Sequence, residues 1–464
     1  MAATKRDYHI SLICMFVLAI CFLAVALFGF FYRPSEIYEY GVVVDISSYD
    51  IEFNLYRWKN RKSIANTAHV KKKHTHSCDI DVHQKRLNVD FLREKMFSCV
   101  KEIISHVENF ELYNSTIFIY GTELTRLMCE SEFDKCNIIF GTIADVISSF
   151  EMRVVITNVK PLTGYDEALF GWISINRHLK NLQNGKTGLE SYGGLDMKNY
   201  SLLISLETGG PYVSNSSKHN SAKHTVYGYA YHVAGVDMMC YGVRQGYERV
   251  TYNFLKEASV WTNAITHPCH TKNSFYDLDP TKLQSLCLTE SVSSFKSYYR
   301  VTGAWDYDKC LALIHQAIDQ TEKKFGLISD FKKDFDLSGR IFFGISRLAE
   351  VAAAIDFHKK PWSCVQILPM NHFTASVFDT LYMYVLISEK LGIDPLSVIL
   401  GHKEKLETLT GSMIYHSREI TPRKAGCIVG KFGLMHIFFS LFVFTGLGVF
   451  LTRKSRSVDK EIIV

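Results

Sequence analysis

The sequence predicts an α/β domain held between two membrane-spanning helices. Three observations carry that reading: an apolar run near each end, an alternation of β-rich and helix-periodic segments between them, and an even set of cysteines lying mostly in that intervening region. The runs are Ile10 to Phe31 and Phe432 to Leu451. About 20 apolar residues cross a bilayer as a helix, and two single crossings leave both ends on one side. Lys5 and Arg6 precede the first run; Arg453, Lys454 and Arg456 follow the second. This bias predicts cytosolic tails at 1–9 and 452–464, and an extracellular or lumenal domain anchored in the plasma membrane or the Golgi and endomembrane system. Helices of this kind also offer a route to oligomers. A cleaved signal peptide is the competing reading of the first run. The length of the run, and the lack of a small-residue cleavage site after it, argue against that.

The region between the runs is too long for one compact core, so two lobes or one elaborated domain are expected. A net charge of +5, not gathered on any helical face, excludes a nucleic-acid binder. Cys14 and Cys21 lie in the first run. The others are Cys78, Cys99, Cys129, Cys136, Cys240, Cys269, Cys287, Cys310, Cys364 and Cys427. In an oxidising compartment they read as disulfides with the pairing open, and without a CxxC pair zinc is not expected. Sequons at Asn114 and Asn215 suit glycosylation of a secretory-pathway domain; a third, at Asn199, falls in a segment expected to be buried.

Tyr40 to Ile46 and Ile51 to Arg57 are rich in Val, Ile, Phe and Tyr and flank a polar SSYD, which predicts a hairpin. Asn60 to His83 is a basic loop. His74, His76 and His83 near Cys78 suggest a metal site, but a solvated loop with a disulfide is the simpler reading. Leu92 to Val107 has helical periodicity. Thr116 to Gly121, Arg153 to Asn158 and Leu202 to Leu206 read as strands. Phe378 to Leu391 reads as a helix stopped by Gly392. Mixed strands and helices over this length point to sheets flanked by helices.

Four segments carry the chemistry. VVVDISSYDIEFNLYRW places Asp45 and small hydroxyl residues between two strands. IYGTELTRLM runs from strand to turn to helix with Thr122 at the turn. TGYDEALFGWISIN carries Asp166 and Glu167, and YGGLDMKNYSLLIS is a second turn with Asp196 before a strand. Alone, each reads as an ordinary turn or solvated face.

In order and spacing together, they resemble the ecto-nucleoside triphosphate diphosphohydrolases, or apyrases, over about Val42 to Ile420. The family motifs DAGSSGT, LGATAGMRLL, EEGAYGWITIN and GALDLGGASTQISF align with the four segments without gaps. The resemblance implies a two-lobed actin-like (RNase H-like) α/β ectodomain. Lobe I would span 37–157, lobe II 158–394, and 395–425 would return to lobe I, with transmembrane helices at 10–31 and 432–451. It further implies hydrolysis of nucleoside di- and triphosphates with a divalent cation, calcium or magnesium. Asp45 and Asp196 would hold the metal's waters. Glu167 would activate the attacking water, which Ser201 would orient. Ser48 and Thr122 would touch phosphate, and Arg126 would support the second motif. The implied disulfides are Cys78–Cys99, Cys240–Cys287 and Cys269–Cys310. Cys129 and Cys136 match no family bridge and either pair with each other or stay free.

This chain departs from the family pattern at the phosphate loops. Ser47, Tyr49, Asp50 and Ile51 stand where the first motif has Gly, Ser, Gly and Thr. Glu123 and Leu124 replace an Ala-Gly pair. Lys198, Asn199, Tyr200 and Leu203 replace Gly, Gly, Ala and Gln in the fourth motif. Glycine allows close backbone approach to phosphate, and Asp50 and Glu123 are expected to add negative charge where a polyanion should sit. The acid groups are therefore present and the phosphate cradle is altered. Two functions follow: a nucleotide hydrolase with weakened or altered activity, or an inactive relative serving as a nucleotide-binding or protein-interaction ectodomain.

Overall fold

β-branched and aromatic residues run from Tyr38 to Ile46 and again from Ile51 to Lys59, and form strands β1 and β2. The computed structural model describes residues 17, 38–47, 50–59, 66–82, 88–106, 115–210, 220–257, 263–283, 287–354, 376–400 and 408–420. Its chain divides into a compact unit Glu39–Thr421 and a second made of Met1–Tyr38 with Pro422–Val464.

The first unit opens with a five-stranded sheet. Lys71–Cys78 is β3, Thr116–Gly121 is β4 and Arg153–Pro161 is β5. The order is β3-β2-β1-β4-β5, with β1, β4 and β5 parallel and β3 antiparallel to β2. Helix α1 (Val89–His106) precedes β4; α2 (Glu123–Ser131) and α3 (Phe133–Ser149) lead to β5. Helix α4 (Gly164–His178) then carries the chain to a second sheet.

The second sheet contains β6 (Gly193–Met197), β7 (Ser201–Glu207), β8 (Asn220–Val226), β9 (Tyr229–Met239), β13 (Phe342–Ser346) and β14 (Val398–Leu400). Its order is β14-β13-β6-β7-β9-β8. The β6–β7 hairpin is antiparallel, and β13 is parallel to both β6 and β14. The two sheets share one plan: a hairpin, then parallel strands added beside its first strand. Asp45 near the end of β1 and Asp196 near the end of β6 therefore hold equivalent places. A short third sheet, β10 (Ala264–His267), β11 (Phe275–Leu278) and β12 (Tyr299–Gly303), lies between α5 (Val243–Glu257) and α6 (Tyr307–Phe325) in the chain.

Apolar burial explains the layers. Every residue of β6 and β7 is buried, as expected for central strands covered on both faces. Leu195, Ile204, Val236, Ile314, Phe331 and Leu386 share one core with α5, α6, α7 (Leu327–Asp334), α8 (Arg347–Ala354) and α9 (Ser376–Tyr384). A second core joins Val43, Trp58 and Tyr120 of the first sheet to Trp172 of α4, Tyr231 of β9 and Met413 of α10 (Thr408–Ser417). Helix α6 has both end signals: the Asp306 side chain accepts from the Lys309 N–H, and Gly326 closes it at φ 67°.

Among the described residues there are four disulfides. Cys78–Cys99 joins β3 to α1, and Cys240–Cys287 interleaves with Cys269–Cys310, all as the resemblance implies. Cys129–Cys136 clips α2 to α3, resolving the pair left open by sequence. Cys364, Cys427, Asn114 and Asn215 lie outside the described residues, as does His83.

The structure corrects several expectations. Among the described residues no helix is long and apolar enough to cross a membrane, which overturns the expected transmembrane helix at each terminus. The runs that suggested them, 10–31 and 432–451, lie outside the described residues apart from Val17. The long helices that are described, α1 and α6, carry charged residues throughout, which hydrocarbon would not tolerate. KKKHTHSC is an edge strand rather than a loop, because its alternate residues point to solvent while Cys78 is buried. His76 lies beside Cys78 and Cys99, but both sulfurs are in a disulfide and cannot act as thiolate ligands. The helix at Ser376–Tyr384 continues as a π-helical turn, Val385–Lys390, before Gly392 at φ 76°. Asn199 is exposed because it sits at the β6–β7 turn and faces outward.

Helices α4 and α10 cross at a glycine. A methyl group at Gly411 would lie 1.8 Å from the Phe170 carbonyl oxygen. Gly411→Ala should therefore force the two helices apart and destabilise the unit by about 1–3 kcal/mol. Urea unfolding of the variant beside wild type measures this; an unchanged midpoint would contradict the close crossing.

Candidate active site

The first hairpin brings Asp45 against Thr122. Parallel pairing of β1 with β4 sets Ile46 beside Gly121, so the next residue on the second strand, Thr122, reaches back. Its hydroxyl donates to Asp45 Oδ1 at 2.9 Å, and its N–H donates to the Ile46 carbonyl at 3.2 Å. Burial pushes the Asp45 carboxyl up to about 8, against the pull of Lys198 and of the Thr122 hydrogen bond. Glu123 follows at φ 45°, a left-handed conformation that a non-glycine residue adopts under strain. The turn itself is closed. The Ser47 N–H donates to the Asp50 carbonyl at 3.0 Å, the Ser47 hydroxyl bonds Asp50 Oδ1, and Ser77 donates to Asp50 Oδ2 at 2.7 Å. Asp50 is thus turned toward β3, contrary to the expectation that it would burden the phosphate position.

Glu167 occupies the first turn of α4, where the Thr163 side chain caps the helix. Its side chain has no solvent exposure. Both oxygens are engaged: Arg126 Nη1 bonds Oε2, and Lys198 Nζ bonds Oε1. Arg126 also donates from Nη2 to Asp237 Oδ2 at 2.6 Å. Burial alone would raise the Glu167 pKa, but Lys198 and then Arg126 outweigh it and hold the carboxyl below its ordinary value. Asp237 has only Arg126 to offset its burial and is pushed up to about 6. Gly164 makes this packing possible, since a methyl group there would meet Asp237 Cβ at 2.2 Å.

The second hairpin delivers Asp196, Lys198 and Ser201. Asp196 Oδ2 accepts from Thr408 at 2.6 Å and lies 3.9 Å from Lys198 Nζ. Asp196 Oδ1 and the Ser201 hydroxyl are buried with no hydrogen-bond partner. Two such orphans on one hairpin mark a place for a polar ligand or water. The Lys198 N–H donates to the Ser201 carbonyl at 2.9 Å, while Val243 and Gln245 donate to the carbonyls of Lys198 and Asn199 at 3.1 Å each. Gly242 allows that approach; a methyl group there would lie 2.4 Å from Asn199 backbone atoms. Both turns are thus closed hairpins whose first N–H is satisfied internally.

Of the residues expected from sequence, Asp45, Thr122, Arg126, Glu167, Asp196 and Ser201 are placed on elements that meet around Lys198. Ser48 lies outside the described residues. Three contributors escaped the sequence reading: Asp237, a single acid in a strand; Thr408, far along the chain; and Lys198 as the partner of Glu167. Only Lys198 left a signal, as a basic residue in place of a turn glycine.

Comparisons with known proteins agree with this geometry. The model of the GDA1/CD39 (nucleoside phosphatase) family matches residues 33–324. Ectonucleoside triphosphate diphosphohydrolase 8 of Gallus gallus is 24% identical over 406 residues, covering 80% of each chain. The Bos taurus protein of the same description is 24% identical over 247 residues, 50% of this chain and 47% of that one, so the chain spans about half of its length. Among solved structures, nucleoside triphosphate hydrolases from Neospora caninum superpose with a TM-score of 0.59 at 11% identity, over 91% of this chain and 98% of that one. The likeness shows an actin-like α/β fold.

Arg126 neutralises two acids at once, the fully buried Glu167 and the part-buried Asp237. Arg126→Ala should destabilise the unit by about 3–5 kcal/mol, because Glu167 keeps Lys198 but Asp237 loses the cation that offsets its burial. Adding Glu167→Gln should recover part of that loss. Denaturant unfolding of the single and double variants tests this, and equal midpoints for wild type and Arg126→Ala would refute the pairing.

Proposed function

The chain belongs to the GDA1/CD39 (nucleoside phosphatase) family, and from that premise we propose that it hydrolyses the terminal phosphate of nucleoside di- and triphosphates, slowly, at the centre formed by Asp45, Glu167 and Asp196. The observation that carries this reading is Glu167, a fully buried carboxylate at the head of α4, set between two cations, one of which, Lys198, comes from the hairpin that also carries the unpartnered Ser201 hydroxyl. Phosphoryl transfer needs positioning and charge neutralisation more than covalent help. The Thr122 and Ser201 hydroxyls can position phosphate oxygens and water. In the resting arrangement Glu167 is a poor base, because both its oxygens are engaged and its pKa is held down. A bound phosphate competes for Lys198. Drawing the ammonium away frees Oε1 and lets the burial of Glu167 raise its proton affinity, so substrate itself would release the base.

The divalent cation that the family resemblance implies, calcium or magnesium, does not fit the residues as they stand. Lys198 Nζ already lies 3.9 Å from Asp196 and bonds Glu167. At about 4 Å and an effective dielectric near 20, a doubly charged ion would be repelled by that ammonium by roughly 8 kcal/mol. The four disulfides support work in an oxidising compartment, extracellular or lumenal.

A second reading is favoured by the doubly engaged Glu167 and the closed turns: a nucleotide-binding or protein-interaction domain without turnover. Phosphate release across a panel of nucleotides, beside nucleotide binding by calorimetry, separates the two. Slow release that Glu167→Gln lowers by about 10²–10⁴-fold supports hydrolysis; binding without release supports the second reading; release indifferent to Glu167→Gln would sink the assignment of the base.

The pH profile gives an independent check. Lys198 is the largest opposing influence on Glu167, so Lys198→Gly should raise the pKa of that carboxyl. Because the base works only when ionised, the acid limb of kcat/KM should move to higher pH in the variant. A limb that stays in place would show that Lys198 does not tune Glu167.

A further inference from the structure

We propose that the Lys198 ammonium is the built-in cation of this centre, so that the site takes a nucleoside phosphate as the free anion and needs no divalent metal. The nucleotide half of this statement rests on the function proposed above; the cation half stands on geometry alone.

Lys198 is anchored at its backbone on both sides of the peptide. Its N–H donates to Ser201, its carbonyl accepts from Val243, and the neighbouring Asn199 and Tyr200 carbonyls accept from Gln245 at 3.1 Å and Cys240 at 2.7 Å. Cys240 is itself tied to Cys287. The side chain is 12% exposed and runs inward, where Nζ bonds Glu167 and approaches Asp196. One ammonium therefore faces carboxylates from α4 and from β6. A cation held between carboxylates from two elements is the arrangement in which a hard metal ion would otherwise be found.

Position and charge also assign the ligand class. Arg126 is held by two direct bonds, to Glu167 and Asp237, and is 5% exposed, whereas Lys198 makes one direct bond, to Glu167, and is 12% exposed, so Lys198 is the more accessible cation for an incoming anion. The unpartnered Ser201 hydroxyl lies three residues along the same hairpin and can donate to a phosphate oxygen. Asp196 Oδ1, also unpartnered, would accept from a water or a protonated phosphate oxygen. An ammonium and a hydroxyl donor beside an acceptor suit a phosphate group without a metal.

The test uses the full-length chain and two probes. In the first, calcium chloride or magnesium chloride alone is titrated in a thermal-shift assay, with sodium chloride of equal ionic strength as control. Wild type and Lys198→Arg should show no cation-specific shift. Lys198→Met, which keeps length and loses charge, should gain a calcium-specific rise of several degrees. If Lys198→Met folds only when calcium is added, that rescue counts as the same result. A calcium- or magnesium-specific shift in wild type, or no response in Lys198→Met, overturns the proposal. In the second, ADP and ATP binding is measured by calorimetry in chelator and in calcium. Wild type should bind equally in both; Lys198→Met should lose at least tenfold in chelator and recover with calcium. Wild-type affinity falling tenfold in chelator also overturns the proposal. Absence of nucleotide binding under every condition defeats the nucleotide reading, while the cation titration still decides the role of Lys198.

Discussion

A carboxylate with no solvent exposure cannot stay ionised by itself, and Glu167 is such a group. Its solution is a pair of cations brought from two different elements of the unit. Arg126 comes from α2, behind the first sheet's β4, and Lys198 comes from the turn between β6 and β7 of the second sheet. Helix α4, which carries Glu167, is therefore fixed to both sheets by charge as well as by the apolar contacts of Leu169, Trp172 and Ile173. The same contacts bear on chemistry. What makes the acid tolerable in the interior lowers its basicity, so stability of the ion cluster and readiness to take a proton are opposed through the same residues.

The two hairpins have one topology but different surroundings. Asp45 accepts from Thr122 of its own sheet's crossover, whereas Asp196 accepts from Thr408, which arrives on α10 after the second sheet is complete. The close crossing of α10 over α4 at Gly411 sets where that hydroxyl falls. Replacing turn glycines with Ser47, Lys198 and Asn199 has not broken either hairpin. It has converted each into a turn whose leading N–H is satisfied within the hairpin.

Strand pairs such as Tyr38–Ile46 and Ile51–Lys59 were legible because β-branched and aromatic residues flank a polar turn, and Thr116–Gly121 because it is a short apolar run. KKKHTHSC was misread as a loop because an edge strand needs only one neighbour and tolerates lysine. The terminal apolar runs invited a membrane reading on hydropathy alone, which the described helices do not bear out. At the site, the Asp45, Glu167 and Asp196 motifs were visible as local patterns. Asp237 and Thr408 were not, because each lies in an unremarkable stretch and acquires its role only from a distant contact.

By itself, the sequence determined the α/β character and the four motifs, since these depend on local pattern; the pairs Cys78–Cys99, Cys240–Cys287 and Cys269–Cys310 came only through the family resemblance those motifs carry. Tertiary structure decided the electrostatics. Whether Asp50 opposes a ligand or turns away to Ser77, and whether Lys198 serves phosphate or Glu167, depends on which side chains meet across the fold. The strength of a charge interaction is set by distance and burial, and neither is written in the order of residues along the chain.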